Sequence, residues 1–184
     1  MTGTIWTPVL GWVGAVATAL GLAFAVPSES GLLGRLPSVS GKRLHDQSHI
    51  ALPQQLPSER TVAVVQFKKS QAAEAQGWID GMGLHRSPGV AWLRLPVLND
   101  PGDEPQRRAK EAQLLERYPS ADERSRLVTV FTDKQAFVRS AGLTTSEHAS
   151  VLVLDRSGNV LAKAEGPYDH GKAQALRETL LAQR

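Results

Sequence analysis

The run Thr61–Phe67, TVAVVQF, constrains the fold most, because its apolar, β-branched residues continue without the alternation of a half-exposed strand. Such a strand needs cover on both faces, which places it centrally in a sheet with layers on either side. A helical pattern follows at once. Ala72, Ala75, Ile79 and Met82 fall at i, i+3 and i+4 spacing with Trp78 beside them, and Ser70 is positioned to cap a helix over Gln71–Leu84. Val90–Leu98 alternates around Trp92 and Leu93 and is expected to be a second strand, parallel to the first through that crossover helix. The fold class is therefore α/β.

The alternation continues downstream. A loop over Asp100–Pro105 precedes a polar helix at about Gln106–Arg117, and the apolar strand Leu127–Phe131 leads to Asp133, an N-cap for a short helix ending at Gly142. Val151–Leu154 and Asn159–Lys163 flank Asp155-Arg156-Ser157-Gly158, a turn whose glycine suits a position of positive φ, so these form an antiparallel hairpin. Asp169 caps a last helix through about Ala182, with Ala173, Leu176, Leu180 and Leu181 on its apolar face. The order is a βαβ half joined by a helix to a ββα half.

Ahead of this lies an apolar segment. Val9 to Val26 contains no charged side chain and, at 1.5 Å per residue, extends about 27 Å as a helix, enough to cross a bilayer. We read residues 1–26 as an uncleaved transmembrane anchor, with Trp6 and Trp12 near one end; a cleaved signal, with its small-residue site at Ala23-Phe24-Ala25, is the alternative, and a buried core helix the third reading. The nearest basic residues, Arg35, Lys42 and Arg43, follow the segment, which the positive-inside rule would keep in the cytoplasm, whereas export places them outside. Residues 27–51 read as a linker with short extended pieces near Lys42–Leu44 and Ile50–Leu52, able to form a small hairpin, and 52–184 as the folded domain.

Composition removes whole classes of chemistry. With no cysteine among 184 residues, disulfide scaffolds, Cys-ligated zinc, iron–sulfur clusters and dithiol redox reactions are all excluded. Lys and Arg total 21 against 18 Asp and Glu, a net charge of +3 without a dense basic run, so nucleic acid is not an expected partner. There is no G-x-S-x-G elbow, glycine-rich phosphate loop or dinucleotide fingerprint, and no cofactor is implied.

The leading apolar strand, the helix straight after it, and the later apolar strand ending in Asp-x-x-Gly resemble the thioredoxin-like fold over about Leu52 to Ala182. The resemblance implies a βαβ plus ββα domain. In redox members an aromatic residue, a short loop and C-x-x-C follow the first strand; laid onto this chain from Phe67, the two cysteine positions fall on Ala72 and Ala75. The position of the family's cis-proline falls on Ala149, so His148–Ala149 is expected to be trans. Two cysteine-poor branches are similar in finer detail. The mitochondrial ATP synthase assembly-factor family resembles the plan Leu52-Pro53-Gln54-Gln55-Leu56, Phe67 and Trp78, and a group of small periplasmic thioredoxin-like proteins resembles Phe137 to Gly166.

Lys68, Lys69, Ser70 and Gln71 stand where a redox loop would be, beside a helix start, and read either as an anion or partner-carboxylate site or as a solvated turn in which Ser70 only caps the helix. Together with the loop Glu147, His148 and Ala149 they form the expected binding surface. His45, Asp46 and His49 lack the helical phase of a metal motif and read as a surface loop; no metal is expected. Arg107, Arg108 and Lys110 are candidates to face an acidic partner or lipid head groups, within a stretch of closely mixed charge. No catalytic residue is identified. The sequence therefore points to a non-catalytic binding module, held in a bacterial inner membrane as a single-pass protein with its domain in the periplasm, and acting as assembly factor or accessory subunit of a membrane complex. The alternative is an exported small-ligand-binding protein or non-thiol enzyme using the edge near Lys68.

Overall fold

The computed structural model describes residues 33–182; the apolar segment 9–26 lies outside them. Seven strands form one sheet: β1 (Val39–Arg43), β2 (His49–Leu52), β3 (Arg60–Gln66), β4 (Ala91–Leu98), β5 (Val128–Phe131), β6 (Ser150–Asp155) and β7 (Val160–Glu165), in the order β2-β1-β5-β4-β3-β6-β7. The helices are α1 (Ala72–Gly81), α2 (Glu104–Arg117), α3 (Ala121–Arg126), α4 (Lys134–Ser140) and α5 (His170–Leu181). None of these helices is long and apolar enough to cross a membrane.

β3 is the centre the sequence demands. It pairs parallel with β4 and antiparallel with β6, and every residue from Thr61 to Phe67 is buried. Its side chains alternate between two cores. Val62 and Val64 pack with Trp78 and Ile79 of α1 and Ala173 and Leu176 of α5, whereas Ala63 and Val65 join Leu36, Leu52, Phe137 and Val138 on the opposite face. The parallel β4–β5 pair and the antiparallel β6–β7 hairpin complete the βαβ and ββα halves. Asp133 accepts from the Gln135 and Ala136 amides, Asp169 accepts from that of Lys172, and Gly158 holds φ +84° in the β6–β7 turn.

Three readings change. The pieces within 27–51 do form a hairpin, but β1 pairs antiparallel with β5 and so extends the main sheet. The sheet thus begins at Val39, ahead of the Leu52 boundary read from sequence. The physical reason is that Leu36, Leu44 and Ile50, each almost fully buried, supply core that a linker would leave exposed. The helix expected over Gln71–Leu84 is shorter, ending at Gly81, with a 3-10 turn at Leu84–Arg86 after Gly83, which holds φ +63°. α3 has no signal in the sequence, because ADERSR buries no side chain and so carries no apolar periodicity.

Leu52-Pro53-Gln54-Gln55-Leu56 forms a tight turn, in which the Leu56 amide donates to the Pro53 carbonyl at 3.0 Å and Gln55 bonds back to Ala51. It seats Leu52 and Leu56 in the core. Trp78, fully buried, donates its indole N–H to the Gly166 carbonyl at 2.8 Å and packs edge-on against Tyr168.

Candidate functional site

Beyond the C-terminal end of β3 the chain turns outward through exposed Lys68, Lys69 and Ser70 and then returns inward at Gln71, which is 2% exposed. The Gln71 amide oxygen accepts from the Phe67 N–H at 2.7 Å and the Lys68 N–H at 3.2 Å, while its amide nitrogen donates to the Ser146 carbonyl at 2.8 Å. This one side chain ties the strand end to the loop before β6. Ser70 does not cap α1: it lies inside a 3-10 turn, Lys69–Gln71, and the longer Gln71 side chain serves the free amides instead.

Glu74, in the first turn of α1, makes the second tie. Its carboxylate accepts from the Ala149 N–H at 2.8 Å and lies 3.2 Å from His148 Nδ1. Lys68 pairs with the Glu147 carboxylate, and hydrogen bonding and charge from Lys68 hold Glu147 below the usual carboxylate range. The structure therefore brings Lys68, Gln71, Glu147, His148 and Ala149 together. Gln71 and Ala149, read from sequence as binding residues, are buried and bonded internally, so they position the edge and leave contact with a partner to their neighbours. Ala72 is half-buried and Ala75 fully buried at the start of α1, and His148–Ala149 is trans.

Beside this sealed edge is an open one. A cleft of about 190 Å³ runs between the ends of β3 and β4 and the flank of α2. Gln66 and Pro96 form its floor, Leu98 and Leu114 line it with apolar surface, and Lys68, Lys69, Lys110 and Arg117 surround it. Lys110 and Arg117 lie seven residues apart, about 10 Å along one side of α2. Lys134 reaches the same strand end, donating to the Phe67 carbonyl at 3.0 Å. Partial burial first, then the charges of Lys68 and Lys110, push its pKa below the usual lysine range. Among the ion pairs of the described residues, Lys69, Lys110, Arg117 and Lys134 take part in none.

A further cation lies behind the floor. Arg94 on β4 is 4% exposed and donates from Nε to the Gln66 side-chain oxygen at 3.3 Å, from Nη1 to that of Gln76 at 3.1 Å, and from Nη2 to the Ala72 carbonyl at 3.1 Å. It also stacks 4.6 Å from the Tyr118 ring centroid. All three acceptors are neutral, and burial pulls the guanidinium pKa down. Of the three cations singled out on α2 from the sequence, Arg107 is engaged by Asp100 and Glu104 and Arg108 by Glu104, leaving Lys110 to face the cleft. Asp46 is occupied by the Ser48 amide and hydroxyl in the β1–β2 turn.

No family model matches the chain, and no curated protein matches it. Solved structures do. A protein from Aquifex aeolicus VF5, named as a putative electron transfer protein, superposes with a TM-score of 0.58 at 11% identity, covering 83% of this chain and 95% of that one. BsSco, a member of the Sco family of cytochrome c oxidase assembly proteins, gives 0.53 at 16% identity, covering 81% and 93%. The exposed lipoprotein thioredoxin Etrx1 from Streptococcus pneumoniae gives 0.50 at 13% identity, covering 77% and 99%. At these identities the likeness is one of architecture, and with the β3-α1-β4 crossover and β6–β7 hairpin it gives the conclusion that this chain has a thioredoxin-like fold built without cysteine.

Proposed function

We propose that this chain is a non-catalytic thioredoxin-like binding module, tethered to a bacterial inner membrane by residues 9–26 with its domain in the periplasm. It serves a membrane complex as an assembly factor or accessory subunit. One observation carries this reading: alanine stands at 72 and 75, and the backbone N–H of Ala149, at the other half of that edge, is already occupied by Glu74. A methyl group cannot attack a disulfide. What the fold retains there is a rigid edge with an electropositive cleft beside it, which suits recognition. BsSco offers an instance of the same architecture in an assembly protein, although a shared fold alone does not transfer a role.

The test is native purification of the full-length chain from membranes in mild detergent, followed by intact mass spectrometry of everything retained. A full-mass chain accompanied by one membrane complex at fixed ratio is expected. A chain shortened to begin near Val26, soluble and alone, would overturn the proposal.

A further inference from the structure

We propose that the cleft between β3, β4 and α2 binds an extended acidic segment of a partner protein, one that carries an apolar side chain between its carboxylates. The inference rests on the binding-module reading and names the chemistry of the partner. Charge complementarity is the first argument. Lys69, Lys110 and Arg117 line the cleft without an ion pair among the described residues, Lys68 adds a fourth cation, and Arg94 is buried behind Gln66 with only neutral acceptors. No carboxylate lines it. By contrast, the cleft between β1 and α2, about 280 Å³, holds both signs already matched, as in Lys42–Glu111 at 2.7 Å and Arg107–Asp100 at 2.6 Å.

Shape and lining select the occupant. Two of the cations, Lys110 and Arg117, stand about 10 Å apart along α2 and face Lys68 and Lys69 at the end of β3, a length that three or four residues of extended chain span at about 3.3 Å each. Leu98 and Leu114 lie among them, so a ligand gains by presenting an apolar group together with its charges. A free phosphate would use neither the length nor the apolar lining. A bilayer is flat and meets a concave cleft poorly, and a single-stranded nucleic acid would need an exposed stacking platform, whereas Tyr118 is 5% exposed and covered by Arg94.

The experiment is a fluorescence-anisotropy titration of the full-length chain with a labelled Glu-Glu-Leu-Glu-Glu peptide, run alongside inorganic tripolyphosphate and phosphatidylglycerol vesicles. Saturable peptide binding is expected, weakened about tenfold or more by Lys110→Glu with Arg117→Glu, and weakened several-fold when the peptide's leucine becomes serine. Arg139→Glu, on α4 across the sheet, leaves it unchanged. Three results would overturn the proposal: no peptide binding, equal loss in Arg139→Glu, or tripolyphosphate or vesicles binding through these residues while the leucine proves irrelevant. Failure of this titration leaves the module reading to stand or fall on copurification, and a chain that purifies alone removes that reading whatever the peptide does.

Discussion

Two neighbouring stretches of the same sheet edge differ in how their polar groups are spent. At the start of α1, the position that the thioredoxin-like resemblance aligns with C-x-x-C, Gln71 and Glu74 close the free amides of Phe67, Lys68 and Ala149. Across the end of β3, the cations of the cleft have no carboxylate among its lining to answer them. A buried donor left without an acceptor destabilises the folded state, so the first stretch is built for its own integrity. Exposed like charges gathered around a concavity contribute nothing to folding and favour an anionic visitor. The stretch that the thioredoxin-like resemblance aligns with C-x-x-C and the stretch that gathers unmatched cations are therefore separate places on this edge.

This separation predicts opposite mutational signatures. Gln71→Ala leaves the buried Phe67 N–H and the part-buried Ser146 carbonyl unsatisfied and is expected to destabilise the chain by about 2–4 kcal/mol, roughly 1–3 kcal/mol from the former and a smaller share from the latter. Lys110→Glu with Arg117→Glu should shift stability by no more than about 0.5 kcal/mol while weakening peptide binding about tenfold or more. Urea denaturation followed by near-ultraviolet circular dichroism, which reports buried Trp78 and Trp92, measures both. Equal destabilisation by the two changes would break the distinction.

A second test places thiols where the thioredoxin-like resemblance aligns C-x-x-C. Ala72→Cys with Ala75→Cys places two sulfurs at i, i+3 at the start of α1, where helical Cα atoms stand roughly 5 Å apart, within the range a disulfide accepts. Air oxidation should lower the intact mass by two hydrogens. Insulin-disulfide reduction should nevertheless stay near the uncatalysed background, because Glu74 holds the Ala149 N–H and the His148–Ala149 bond is trans. Rapid turnover in this variant would mean the sealed edge remains competent.

The sequence made the frame legible and left much of the site obscure, for different physical reasons. Core strands declare themselves through runs such as TVAVVQF, and caps such as Asp133 and Asp169 act within three residues, so both can be read locally. Lys68 and Glu147 could be brought together because they flank the ends of adjacent strands, β3 and β6. The cleft could not. Lys68 and Lys69 follow β3, whereas Lys110 and Arg117 lie among the mixed charges of α2, so no window of sequence joins them, and only the packing of α2 against the strand ends assembles them. Arg94 had a local signal, a lone charge in the apolar strand AWLRLPVL, and a buried cation there implies nearby acceptors. Ser70 misled because its type favours a cap while a neighbour with longer reach took the bonds.

The smallest expected effect lies on the boundary between the two stretches, at the Lys68–Glu147 pair. Both side chains are exposed, so the pair adds little to stability, yet it determines whether Lys68 is available to the cleft. Because the folded-state pKa of Glu147 is lowered from 4.5, whatever stability the pair gives is fully present above that value and is lost as pH falls through the lowered one. Carboxyl NMR should find Glu147 titrating below the usual range, and Lys68→Met should return it there. Glu147→Gln releases Lys68, and peptide affinity at neutral pH should then rise about two- to threefold, well under the ~1.4 kcal/mol of a tenfold change. The gain should shrink as salt shortens the range of the interaction. An unshifted Glu147 in the wild type, or an unchanged affinity in Glu147→Gln, would mean that Lys68 already belongs to the cleft and that the boundary lies closer to Gln71.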